Sequence, residues 1–133
     1  MIEQTLSIIK PDAVERNLEN EIKSIFIDHG LNILKSKKIK ISKKEAARFY
    51  KIHESKPFYE GLCNYLSSGP IEVMILEGEQ AIMKNRDLMG LTDPKKAGAK
   101  TIRSMFGISI DKNSVHGSDS LENAKSEIKF FFS

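Results

Sequence analysis

At 133 residues, with 40% hydrophobic and 29% charged side chains, the chain suits one globular domain (residues 1–133) with a real core. A net charge of +3 and a pI of about 8.9 fit a protein with anionic substrates but fall short of the dense field of a dedicated nucleic-acid binder. No run approaches the about 18 apolar residues of a membrane span, no secretory signal opens the chain, and a single cysteine, Cys63, rules out an internal disulfide, so a cytoplasmic location is expected.

In chain order, residues 5–9 are mostly apolar and read as a buried strand that ends at Lys10-Pro11-Asp12. Proline pushes the residue before it toward extended geometry and favours the first turn of a helix. Lys10 therefore stands at a strand end facing a helix start. Leu18, Ile22, Ile25, Phe26 and His29 recur at helical spacing, with Gly30 as the stop. Residues 31–41 read as a long strand in which Leu31, Ile33, Ile39 and Ile41 share parity. Lys35 and Lys37 break that face and predict a twist or bulge. The lysines of this stretch read as a solvated strand face that protects a sheet edge.

Ser42-Lys43-Lys44-Glu45 matches a capping box, and Ala46, Phe49 and Tyr50 follow as a helical apolar stripe. Pro57 is expected to begin another helix carrying Phe58, Leu62, Tyr65 and Leu66. Ser68-Gly69-Pro70 is a turn, and the apolar run 71–76 reads as a central strand. Residues 79–89 look helical, 90–100 form a surface loop and 101–106 a helical turn. Ser114-Val115-His116 is a short extended piece, and Leu121, Ala124, Ile128 and Phe131 mark a last helix. This order fits a split βαβ unit used twice. The expected fold is α+β, a ferredoxin-like βαββαβ arrangement in which a four-stranded antiparallel sheet carries helices on one face.

The segment Asn113-Ser114-Val115-His116-Gly117-Ser118-Asp119-Ser120 holds most of the chemistry. Neutral imidazole is a good nucleophile near pH 7. Gly117 would let backbone and substrate approach closely. Ser118 and Ser120 can cap a helix or donate hydroxyl hydrogen bonds. Glu127 could accept the second ring N–H of His116 and fix its tautomer. His29 and His53 have no chemical neighbours in the sequence and read as structural.

This block resembles the active-site signature of nucleoside diphosphate kinases, and residues 5–14 (TLSIIKPDAV) resemble their N-terminal signature. Pro57-Phe58-Tyr59, Leu76-Glu77-Gly78, Asn85-Arg86-Asp87-Leu88-Met89-Gly90, Thr92-Asp93-Pro94 and Thr101-Ile102-Arg103 fall between them in the family's order. The resemblance implies transfer of the terminal phosphoryl group of a nucleoside triphosphate, mainly ATP, to nucleoside diphosphates. It implies a ping-pong route through a phosphohistidine on His116, with Mg²⁺ carried by the nucleotide phosphates rather than by a protein metal site. By the same resemblance, Phe58 stacks on the base, and Lys10 and Asn113 reach the ribose hydroxyls. Arg86, Thr92 and Arg103 hold phosphates, Tyr50 lies beside the histidine, and Ser118 supports Glu127.

A phosphohistidine carrier or signalling protein is the alternative; it would share His116 without needing Phe58, Arg86 and Arg103. A nucleic-acid module would want aromatics on strand faces, and the strands offer almost none. Where many relatives carry Pro-Gly in a loop that helps assemble trimers, this chain has Ala99-Lys100 after Gly98. The apolar tail Phe130-Phe131-Phe132 at the terminus suggests burial by homo-oligomerisation, as a hexamer first and a tetramer second.

Overall fold

Lys10-Pro11 shapes the start of the fold as its chemistry requires. Strand β1 (Ile2–Ile9) stops at Lys10, whose backbone is extended, and Pro11 opens helix α1 (Pro11–Glu15) at its first turn. The structure, a computed structural model, describes all residues 1–133. After α1 come α2 (Glu19–Asp28), β2 (Asn32–Ile39), α3 (Lys43–Phe49), a 3-10 turn (Lys51–His53) and α4 (Tyr59–Leu66). Then follow β3 (Ile71–Glu79), α5 (Ala81–Met89), α6 (Ile102–Phe106), β4 (Val115–Gly117) and α7 (Leu121–Phe132). The strands form one antiparallel sheet in the order β2-β3-β1-β4, the ferredoxin-like α+β arrangement. No helix is long and apolar enough to cross a membrane.

Helices cover both faces of this sheet, not one. Ile9, Met74, Leu76 and Val115 pack with Ile22, Phe26, Ala81 and Ile102 on one side. Leu6, Ile8, Ile71 and Val73 pack with Ala46, Cys63, Leu66 and Phe131 on the other. The cause lies in β1 and β3, whose apolar residues occupy both parities, so each strand must be buried twice.

Several boundaries differ from the sequence expectation. Helix α4 begins at Tyr59, with Phe58 at the N-cap. Glu79 closes β3 rather than opening a helix; Gln80 turns the chain with a left-handed backbone (φ 48°) before α5. The bulge in β2 falls between Ile33 and Lys35, leaving Leu34 as the extra residue. Strand β2 is an edge, and Lys35, Lys37 and Lys38 on it are exposed. Ser42 and Glu45 form the full capping box of α3.

The terminal phenylalanines pack against the chain itself. Phe131 is buried in the second core, and Phe130 and Phe131 stack near the Phe49 ring with centroids at 5.6 and 5.2 Å. Lys37 Nζ donates to the Phe131 carbonyl, satisfying an end of α7. Phe131 therefore docks within the chain, whereas Phe130 stays exposed at 36%.

Lys100, in the loop before α6, adopts a left-handed backbone at φ 70°. A side chain there costs about 1–2 kcal/mol, partly offset in a glycine variant by a looser unfolded chain. Lys100→Gly should therefore raise stability by about 0.5–1 kcal/mol, or about 2–5 °C in Tm by calorimetry; a lower Tm would show that Lys100 makes a compensating contact.

Candidate active site

Strand β4 is three residues long, yet its pairing with β1 sets the site. Ile8 lies opposite His116 and Ser7 opposite Gly117, so the His116 ring projects on the same face as Ile8 and Val73. There α3 and α7 close over it. Phe49 meets the imidazole edge-on, with centroids 5.4 Å apart and planes at 74°. From α7, Glu127 Oε1 lies 3.0 Å from His116 Nε2 and also accepts the Ser118 hydroxyl at 2.9 Å. A carboxylate oxygen accepts, so Nε2 carries a proton, and in the neutral ring the lone pair is on Nδ1. Ser118 Oγ is itself held by the Leu6 N–H at 3.3 Å. Ser120, not Ser118, caps α7, accepting the Asn123 N–H.

His116 opens into a cleft of about 450 Å³ whose lining includes Lys10, Tyr50, Phe58, Arg86, Thr92, Arg103, Asn113 and Glu127. The structure thus brings together every site residue read from the sequence except Ser118, which stands behind the carboxylate it supports. A larger open groove of about 890 Å³ runs beside α1 past Pro11, Val14, Tyr65 and Ile108. Convergent polar groups rather than size identify a site, and those are in the smaller cleft.

The cations of the cleft are positioned without a direct ion pair, although Asp12 and Asp111 near Lys10 and Asp119 near Arg86 offset part of their charge. Lys10 Nζ donates to Asn113 Oδ1 at 2.9 Å, and Asn113 Nδ2 donates to the Thr92 carbonyl at 3.1 Å. Arg103 is gripped by two carbonyls, Nη1 to Gly90 at 3.0 Å and Nη2 to Val115 at 2.9 Å, while its buried Nε has no partner. None of Lys10, Arg86 and Arg103 forms a salt bridge. Burial, and next Arg103, lower the Lys10 pKa to about 8. Burial, and next Arg86, lower the Arg103 pKa to about 10. A set of like charges held this way asks for an anion of several charges. Burial raises the Tyr50 hydroxyl above the ordinary phenol range, so it stays protonated at the wall of the cleft.

The turn between Asn113 and β4 is strained. Ser114 has φ 75°, and the Val115 N–H donates to the Asn113 carbonyl at 2.9 Å, which makes a γ-turn of the rarer hand. Such a backbone costs about 1–3 kcal/mol at a residue other than glycine.

Gly117 lines the cleft and is also needed for packing. A Cβ there would lie 2.3 Å from Asn85 Nδ2 and 2.9 Å from Met89 Cε, so glycine lets α5 pack against β4. His53, read as structural, also lines the cleft, its ring 5.8 Å from Phe58. A 3-10 turn brings it beside Tyr50 and Phe58, and spacing in the sequence does not announce that turn. Asp119 is a further lining residue; its hydrogen bond from Asn123 holds its pKa low despite partial burial, with Arg86 and His116 adding to the effect.

Comparison with known proteins places this geometry in context. A family model described as nucleoside diphosphate kinase matches residues 3–133. The nucleoside diphosphate kinase of Campylobacter hominis is 58% identical over 98% of this chain and 96% of its own length. That of Wolinella succinogenes is 55% identical over 99% and 96%. Among solved structures, the Aquifex aeolicus nucleoside diphosphate kinase superposes with a TM-score of 0.97 at 40% identity, covering 100% of this chain and 96% of that one. A halophilic nucleoside diphosphate kinase from Halobacterium salinarum, solved in complex with CDP, gives 0.95 at 36% identity, covering 100% and 89%.

The depressed Lys10 pKa has a consequence for stability. Below pH 8 both folded and unfolded chains hold the proton, and burying the ammonium costs on the order of 3 kcal/mol. Between pH 8 and 10.5 only the unfolded chain keeps it, so that cost disappears as pH rises. Lys10→Met should accordingly melt at or above the parent's Tm at pH 7, with the difference shrinking toward pH 10. A Tm several degrees lower at pH 7 would show that the ammonium is a net stabiliser.

Proposed function

As a member of the nucleoside diphosphate kinase family, the chain transfers phosphoryl groups between nucleotides, and we propose that it does so in two half-reactions through His116, with ATP as the main donor. Three cations with no ion-pair partner, lining one cleft with the imidazole nitrogen that faces away from Glu127, carry this reading. The Nδ1 lone pair would attack the γ-phosphorus as the bond to the β–γ bridging oxygen breaks, releasing the diphosphate and leaving a phosphoryl group on Nδ1. An incoming diphosphate then takes that group by the reverse displacement, restoring the neutral ring. Because donor and acceptor use one cleft in turn, the kinetics are ping-pong.

Such transfer passes through a loose, charge-rich transition state, so positioning and charge stabilisation dominate. Arg86, Arg103 and Thr92 would hold the phosphates. Lys10 would lie near the transferred group, and with Asn113 reach the ribose hydroxyls. Glu127, steadied by Ser118, would hold the ring and share the positive charge that develops on it. Tyr50 would flank the ring as a hydroxyl donor. Phe58, 48% exposed in the cleft, offers a stacking face that any base can use. No cluster of three or more histidine, cysteine or acidic side chains could hold a metal, and Mg²⁺ would enter as part of the substrate, chelated by its phosphates.

A phosphohistidine carrier would have no use for Phe58, Arg86 and Arg103 in a shared cleft. A homo-oligomer, as a hexamer before a tetramer, rests on family membership alone, and light scattering that showed only a 15 kDa species would contradict it. A cytoplasmic location accompanies this reading, supported by the lone, unpaired Cys63.

Incubation with γ-labelled ATP and Mg²⁺ should give an acid-labile, alkali-stable protein phosphate that chases onto GDP or CDP. His116→Gln should abolish both label and exchange; a label that would not chase would favour the carrier, and undiminished exchange by the variant would defeat the proposal. Phe58→Ala should raise KM about tenfold for purine and pyrimidine nucleotides alike, reflecting about 1–3 kcal/mol of stacking. A loss confined to one base in steady-state kinetics would contradict a base-indifferent platform.

A further inference from the structure

One buried carboxylate takes no part in the chemistry just described. Asp12 is 5% exposed, and its hydrogen bonds converge on the turn that carries the site. Its Oδ2 accepts the Ser114 hydroxyl at 2.8 Å, and its Oδ1 accepts the Ser114 N–H at 3.3 Å. From α4 the Tyr65 hydroxyl donates to Oδ1, and from the end of α1 Arg16 Nη2 donates to Oδ2 at 3.1 Å. The carboxylate is thus fixed by two outer partners and spends its remaining acceptor capacity on one residue.

That residue is the one whose backbone needs holding. Ser114 is the apex of the γ-turn, in a conformation that L side chains rarely adopt. On one side of it Asn113 binds Lys10 Nζ and the Thr92 carbonyl. On the other, Val115 receives Arg103 on its carbonyl and leads directly into His116. The Ser114 carbonyl also accepts the Lys10 N–H at 2.8 Å, tying the turn to the end of β1. If the turn relaxed, the nucleophile and the cations would shift relative to one another.

We propose that Asp12 is a positioning residue for phosphoryl transfer: its carboxylate clasps Ser114 in the γ-turn and thereby sets His116 against the Asn113–Lys10 pair. This rests on the phosphohistidine reading of His116. Transfer is sensitive to small misplacements of the reacting groups, so loosening the clasp lowers the rate without removing any group that touches substrate.

The test is a pair of variants read by pre-steady-state phosphorylation with ATP and Mg²⁺ and by thermal melts. Asp12→Asn replaces one acceptor oxygen by a donor and should lower the rate of enzyme phosphorylation about tenfold, mainly in the maximal rate and less than threefold in KM. Adding Ser114→Gly to it should recover at least threefold of that rate, because glycine takes φ near +75° without a clasp, whether or not Tm recovers. A general structural role for Asp12 predicts no such recovery. A wild-type rate in Asp12→Asn, or a folded double variant that recovers nothing, would overturn the proposal. Should Asp12→Asn fail to fold, Ser114→Ala removes only the hydroxyl contact and should slow phosphorylation about threefold; an unchanged rate would overturn it equally. A parent protein that takes no phosphate would bring down the phosphohistidine reading and the clasp with it, whereas a parent that labels beside variants of unchanged rate would bring down the clasp alone.

Discussion

A carboxylate has no proton to give, so the 3.0 Å contact between Glu127 Oε1 and His116 Nε2 places a proton on Nε2, and in the neutral ring the free lone pair is then on Nδ1. Much of the fold serves to keep that contact. Glu127 reaches the ring because α7 lies across β1 on the face where His116 projects. Helix α7 is fixed at its start by the Ser120 cap and at its end by Phe131 in the core and Lys37 on its last turn. Ser118 fastens the same carboxylate oxygen from β4's continuation, and Leu6 of β1 fastens Ser118. The ring, its orienting acid and the acid's own support all refer back to the central strand.

The opposite wall of the cleft shows a different use of free energy. Burial and the Arg103 charge lower the proton affinity of Lys10, burial and the Arg86 charge lower that of Arg103, and none of the three cations has a protein carboxylate as an ion-pair partner. Neutral acceptors hold two of them: Asn113 takes Lys10, and the Gly90 and Val115 carbonyls take Arg103. Neutral acceptors fix the geometry without cancelling the charge, which stays available to a phosphate. The γ-turn at Ser114 has the same character, a local cost borne where the geometry of the site demands it.

The sequence made the succession of elements along the chain legible because local rules are strong there: Pro11 at a first turn, the Ser42–Glu45 capping box, and the apolar run of β3. The layers differ from the expectation of helices on one face, because apolar residues at both parities in β1 and β3 need cover on two. The cleft residues could be listed from the family resemblance, and the fold gathers them. The reasons behind individual residues were less visible. Gly117 lines the cleft and also makes room for Asn85 and Met89, a packing demand that no local pattern announces. His53 looked structural because its neighbours, Tyr50 and Phe58, are brought to it by a 3-10 turn that spacing alone does not announce. Asp12 lies 102 residues from Ser114, a separation no local pattern can bridge. The dock of Phe131 is likewise a product of tertiary packing.

The central claim, that one orienting hydrogen bond selects the nitrogen that accepts phosphate, is tested most directly by ³¹P NMR of the protein phosphorylated with ATP and Mg²⁺ and held at alkaline pH. The account predicts a single resonance of Nδ1-phosphohistidine at His116. A resonance of the Nε2 isomer, or a phosphate borne by another residue, would contradict it.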